Sequence, residues 1–196
     1  TASLLLFAML FWSIRLTTNW MKTWEGLHHE DWRYIDMRNN LGNSFEILGN
    51  LGGIHFFPTL IVFFCCMPME ATLLMQESIP QTNLQAYAGF FVCIIGVLYE
   101  IISDAQLHRF REANPHQKGI IETGLWNYSR HPNYYGEILF WWGIFLFGNA
   151  YTGITYLILA PIAMTIMFWY ASIPWIEIKI LRTRPLYKDY QKRVHI

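Results

Sequence analysis

Long apolar runs separated by short polar islands leave this chain few folds to choose from. Five such runs stand out: Ala2 to Ile14, Phe45 to Met67, Leu84 to Ile102, Tyr134 to Phe147 and Ile154 to Ile173. A helix that crosses the hydrocarbon core of a bilayer needs about 20 mostly apolar residues. The second, third and fifth runs meet that need unaided. The first, closed by Arg15, and the fourth meet it once Arg15 to Trp20 and Asn149 to Tyr151 are added. Only 14% of the 196 residues are charged, against about 25% in a soluble domain. The expectation is an all-α, multi-pass transmembrane bundle of about five spans, forming one membrane domain over residues 1–196.

The basic residues support that path independently. Of the 14 Lys and Arg, all but Arg15 fall between runs one and two, between runs three and four, or after run five. The loops at 68–83 and 148–153 contain none. By the positive-inside rule, the basic loops and the C-terminus face the cytoplasmic side or its organellar equivalent. The membrane itself, whether endoplasmic reticulum, mitochondrial inner or bacterial inner, is left open. The formal net charge is zero, so nothing points to nucleic acid as a partner. The chain opens on Thr1, directly on an apolar helix, without the flanks of a signal peptide. That reads as a chain whose upstream helices are missing. Cys65, Cys66 and Cys93 all lie inside apolar runs and read as small buried hydrophobes. Gly49, Gly52 and Gly53, inside the second run, read as sites of close helix packing.

Polar chemistry collects in a few segments. The loop from Met21 to Asn43 is dense in aromatic and ionisable residues, among them His28, His29, Glu30, Asp31, Trp32, Arg33, Tyr34 and Asp36. It reads as an interfacial helix, with a metal site or a polar lid over the bundle mouth as alternatives; no metal is expected. Glu100, Asp104, His108 and Arg111 recur at helical spacing and share one face. That face reads either as an ion-pair network with Arg111 or Arg130, or as a ligand-binding surface.

The most specific stretch runs from Leu125 to Glu137, LWNYSRHPNYYGE. Pro132 suits a first helical position. The helix it opens would point free N–H groups at the cytoplasmic side beside Arg130 and His131, an arrangement that attracts anions. Trp126, Asn133, Tyr134 and Glu137 lie in the same stretch. A phosphate- or carboxylate-bearing ligand is therefore expected in a cytoplasm-facing pocket. The tail from Trp175 to Ile196 reads as a lipid-headgroup anchor or as a flap bringing Glu177 or Arg182 over the pocket.

The SRHPNYYGE stretch, the SDAQLHRFR segment before it and the IPWIEIKILRTRPLYKDYQ tail resemble the steroid 5α-reductase-like membrane family. The GLHHEDWRY segment at residues 26–34 resembles an uncharacterised branch of it. The superfamily also includes sterol C=C reductases and isoprenylcysteine carboxyl methyltransferases. The resemblance implies NADPH-dependent reduction of an activated C=C bond in a lipid or steroid-like enone, a hydrophobic small molecule. It implies cofactor contacts from Asp104, Arg111, Trp126, Arg130, His131, Asn133, Tyr134, Glu137 and Glu177. The family's proton-donating tyrosine falls at Trp12, before Arg15, and its asparagine at Glu100; Tyr34 and Asp31 are the local substitutes for the catalytic groups. The alternatives are an S-adenosylmethionine-dependent membrane methyltransferase, and a non-catalytic subunit that keeps the fold beside other membrane subunits. Expected partners are membrane lipids, the substrate and such subunits.

Overall fold

The computed structural model describes residues 2–26, 28–41, 49–75, 83–114 and 119–196. Glu46 and Lys118 lie outside them. Helices account for nearly all described elements, and no strand occurs among the described residues. In chain order the α-helices are α1 (Ala2–Thr23), α2 (Trp32–Leu41), α3 (Phe57–Met75), α4 (Leu84–Ala113), α5 (Pro132–Thr152), α6 (Leu159–Met167), α7 (Ile173–Thr183) and α8 (Tyr187–Arg193). A π-helical segment, Asn50–Phe56, leads into α3, and another, Phe168–Ser172, joins α6 to α7.

Among the described residues, four stretches are long and apolar enough to cross a membrane: Ala2–Thr23, Leu51–Leu74, Leu84–Ala113 and Thr155–Thr183. They fit a multi-pass membrane protein. The remaining expected span, the fourth in chain order, is α5, which has the length at 21 residues. Its apolar character is diluted by Asn133, Tyr134, Tyr135, Glu137 and Asn149, and it does not count among the four. It is the most enclosed helix: Phe140, Trp141, Ile144 and Phe147 are buried on it. Around it stand Cys93 and Val97 of α4, Ile61 and Cys65 of α3, Leu5 and Ala8 of α1, and Ala160 and Met164 of α6. Lipid-facing positions such as Leu6, Phe7, Leu10, Phe63, Phe91 and Ile95 remain exposed. That distribution is expected where the solvent is hydrocarbon.

The α4–α5 seam is the tightest. A Cβ added at Gly96 would meet the Gly136 carbonyl oxygen at 2.7 Å, and one at Gly136 would meet the Gly96 oxygen at 2.6 Å. Two glycines thus let two backbones touch, as small residues do between membrane helices. Gly52 and Gly53, expected to play this part, instead have open space around them. Among the described residues, the close glycine packing lies on α4 and α5.

Helix ends follow local chemistry. Asn83 caps α4 by accepting from the Gln85 amide at 2.9 Å, and its own amide donates to the Ala150 carbonyl at 2.8 Å. Pro132 opens α5 and Gly153, at φ +62°, closes it in the left-handed conformation. Helix α4 has 30 residues and is about 45 Å long, against a hydrocarbon core of about 30 Å. Its C-terminal turns, bearing Asp104, His108 and Arg111, therefore run toward the basic end of the bundle.

Candidate functional site

Inside the bundle, three carboxyl groups gather around one guanidinium. Arg15 of α1 lies 2.7 Å from Glu100 Oε2, pairs with Asp104, and stands 3.9 Å from Glu137 Oε2. Glu100 is fully buried and Asp104 is 7% exposed. The guanidinium reaches Glu100 off the line of a hydrogen bond, and both Glu100 oxygens lack a hydrogen-bond donor among the described residues. Glu137 is better served: the indole N–H groups of Trp12 and Trp141 donate to it at 3.1 and 2.8 Å. The Asn133 amide donates to Asp104 Oδ1 at 3.4 Å. One turn further along α1, His108 Nε2 donates to Asn19 Oδ1 at 2.8 Å. Residues 12, 15 and 19 share one face of α1, so a single stripe faces α4 and α5. Acid outnumbers base in this cluster, which favours positive charge placed beside it.

Above the cluster the mouth is basic. Arg33 of α2, Arg111 of α4 and Arg184 of the C-terminal segment all lie within electrostatic reach of Lys179, and Arg111 also within reach of Arg184. Helix α2 is fastened over this mouth by α7. The Trp175 indole donates to Asp36 at 2.9 Å, Arg182 pairs with Asp36 at 2.7 Å, and Lys179 sits 4.3 Å from the centre of the Trp32 ring. Arg33 binds Asp31 through its backbone N–H, Nε and a terminal nitrogen at 2.9, 3.0 and 2.8 Å. Arg33 holds the Asp31 carboxyl below its ordinary value, against the opposing effect of burial. This favours the carboxylate, which accepts a proton rather than giving one. Tyr134 lies within electrostatic reach of Arg33, Asp31 and Asp104, between mouth and cluster.

Arg130 and His131 do other work. Arg130 Nε and His131 Nε2 donate to Glu177 Oε1 at 2.7 and 2.9 Å, with Tyr187 and Gln191 adding donors at 3.1 and 2.8 Å. Arg130 also donates to the Val194 carbonyl at 2.7 Å. The Tyr190 hydroxyl donates to the Trp126 carbonyl, and the Trp126 indole donates to the Ser103 carbonyl at 3.0 Å. Burial pushes the Tyr190 hydroxyl up to about 12. The tail thus folds back, and its own carboxylate fills the place beside Arg130 and His131 where an outside anion was expected.

The sequence-derived residues therefore separate into groups. Asp104, Asn133 and Glu137 meet at the buried cluster. Arg111 stands exposed at the mouth, with Tyr134 between the two. Trp126, Arg130 and His131 hold the tail, through its own Glu177 and Tyr190. Tyr34 is half-buried on α2, its ring 6.0 Å from that of His55. The residues missed were Arg15, Lys179, Arg33 and Arg184. Arg15 could have been found, because an ionisable side chain at membrane depth points to a functional site. The ion-pair partner expected for Glu100 and Asp104 was Arg111 or Arg130; it is Arg15. Of the candidate metal-ligand types in the loop, His29 contacts Glu25 at 2.9 Å, while Glu30 pairs with Arg38 and Asp31 with Arg33.

No solved structure matches this chain significantly. It is similar to the uncharacterized protein C594.04c of Schizosaccharomyces pombe, at 25% identity over 213 residues covering 96% of this chain. The chain spans 60% of that relative's length. Residues 1–194 match a family described as "Protein of unknown function (DUF1295)", within the steroid 5-alpha-reductase-like superfamily. A match over almost the whole length, joined to the helical membrane fold, makes this chain a member of the DUF1295 family.

Proposed function

We propose that this protein is a membrane reductase that uses NADPH to saturate an activated C=C bond in a lipid or steroid-like enone. The observation that carries the reading is the stacking of two opposite fields at one end of the bundle. The basic group Arg33, Arg111, Lys179 and Arg184 lies at the mouth, and the acid-rich cluster around Arg15 lies below it. A dinucleotide needs both: cations for its phosphates, and polar groups deeper down for its amide and ring. When bound, the cofactor would supply the hydride. The chain's residues would do the rest. Arg111 and Lys179 would hold phosphate, as Arg130 is engaged by Glu177. Asn133 and Asp104 would orient the polar end. The surplus acid below favours the positive charge that develops on a ring losing hydride. Tyr134, between the two fields, is positioned to hydrogen-bond a substrate carbonyl.

One observation favours a second reading. The same acid-rich cluster would also suit the sulfonium of S-adenosylmethionine, which makes a membrane methyltransferase the alternative. The basic mouth supports the dinucleotide reading, because S-adenosylmethionine carries no phosphate. Thermal unfolding of the detergent-purified protein with each cofactor is the test. NADPH should raise the midpoint, and Arg111→Gln should remove most of the shift without lowering the ligand-free midpoint. A shift with S-adenosylmethionine alone would transfer the assignment to the methyltransferase. A shift with neither would leave a non-catalytic subunit.

A further inference from the structure

Between α1 and α4 runs an open groove of about 270 Å3, lined at one end by Phe11, Ile14 and Ile101 and at the other by Thr18, Asn19 and Lys22. We propose that this groove binds an anionic phospholipid of the surrounding leaflet, with its headgroup phosphate on Lys22, Asn19 and Thr18 and one acyl chain along the apolar end.

Depth supplies the first argument. Trp20 and Trp24 are half exposed and packed on each other, ring centres 4.8 Å apart. Exposed tryptophans mark the headgroup level of a membrane protein. Thr18, Asn19 and Lys22 flank Trp20 along α1, so the polar rim lies at that level. Ile14 lies two turns before Lys22, about 12 Å deeper along the axis, where the solvent is hydrocarbon. Polarity along the groove thus changes where a phospholipid's own polarity changes.

Charge supplies the second. Lys22 has no ion-pair partner within 4 Å among the described residues, whereas Asp104, on the groove wall, is paired with Arg15. Asn19 Oδ1 is taken by His108, which leaves its amide N–H groups to donate. The rim itself, Thr18, Asn19 and Lys22, therefore presents a cation and neutral donors and carries no carboxylate. Thr18, Asn19 and Lys22 also lie at the end of the bundle that the basic loops assign to the cytoplasmic side, where anionic lipids collect.

Size supplies the third. At about 270 Å3 the groove is smaller than the 300–1,000 Å3 of pockets that enclose a whole small-molecule ligand. An open site of this volume suits one chain of a lipid whose second chain stays in the bilayer. The groove shares Arg15, Asp104 and His108 with the buried cluster, but lipid binding needs no cofactor and is tested without one.

Native mass spectrometry of the protein released from nanodiscs tests it. The nanodiscs contain equal parts of phosphatidylglycerol and phosphatidylcholine of matched chains. Wild type should retain phosphatidylglycerol over phosphatidylcholine. Lys22→Gln should lower that preference about fivefold. Lys188→Gln, which removes an exposed cation of the tail, should leave it unchanged and so report general attraction to the leaflet. Ala105→Phe, which fills the groove from its α4 wall, should abolish retention of either lipid while thermal unfolding confirms that the variant is folded. Equal retention of the two lipids by wild type would overturn the proposal. So would wild-type retention by folded Ala105→Phe, or an equal loss in Lys22→Gln and Lys188→Gln.

Discussion

Arg15 faces three carboxyl groups inside the bundle. Its side chain is 9% exposed and faces a Glu100 that has no exposure at all. Removing one member of a buried ion pair strands the other, at a cost of about 3–5 kcal/mol. Arg15→Leu should therefore lower thermal unfolding in detergent sharply, and adding Glu100→Gln should recover part of the loss. An Arg15→Leu protein as stable as wild type would show that the cluster does not hold α1 in place. The acidic side of this contact was legible in sequence, because Glu100 and Asp104 share a helical face at membrane depth. The basic side was not. Arg15 stands 89 residues from Asp104, and near the end of an apolar run it has the appearance of a terminator. The Glu177 knot was half legible: its residues were all singled out, but chain spacing alone does not say that the anion beside Arg130 comes from the same molecule.

At the scale of elements, the bundle is organised by the seam between α4 and α5. Their backbones meet at Gly96 and Gly136, where no Cβ fits, and overpacking a close-packed interior typically costs about 1–3 kcal/mol. Gly136→Ala should thus be destabilising by at least that much in thermal unfolding, because the contact is with backbone, which cannot rotate away. Gly53→Ala, with open space around it, should change stability by less than about 1 kcal/mol. Equal effects at the two positions would refute the packing argument. The helices themselves were legible from apolar length, yet which of their faces touch was not. Every run here is apolar on nearly all sides, since lipid and protein neighbours both accept Leu, Phe and Ile. Periodicity therefore loses the information it carries in a soluble helix. For the same reason Gly52 and Gly53 were indistinguishable in sequence from the glycines that do pack.

For the whole molecule, the testable quantity is sidedness. With Cys65, Cys66 and Cys93 replaced, Lys188→Cys and Thr155→Cys should react with a membrane-impermeant maleimide from opposite faces. Lys188→Cys should react only from the side that holds the basic loops. Labelling of both from one face would contradict the path of α5 through α7. The path and the polar end were legible because lipid imposes them on composition. The stacked basic and acidic fields were not, since they are assembled from α1, α2, α4, α5 and the C-terminal segment. The Arg15 cluster also bears on how the protein is made. Chains emerge at roughly 5–20 residues per second, so Arg15 precedes Asp104, 89 residues later, by roughly 5–20 s. During that interval neither Glu100 nor Asp104 is present to match the Arg15 guanidinium, and an unmatched arginine at a helix centre is disfavoured by about 2.5–3.5 kcal/mol. The ion pairs that hold Arg15 in the bundle thus form only after α4 has been synthesised, so α1 docks late against a partner made well after it.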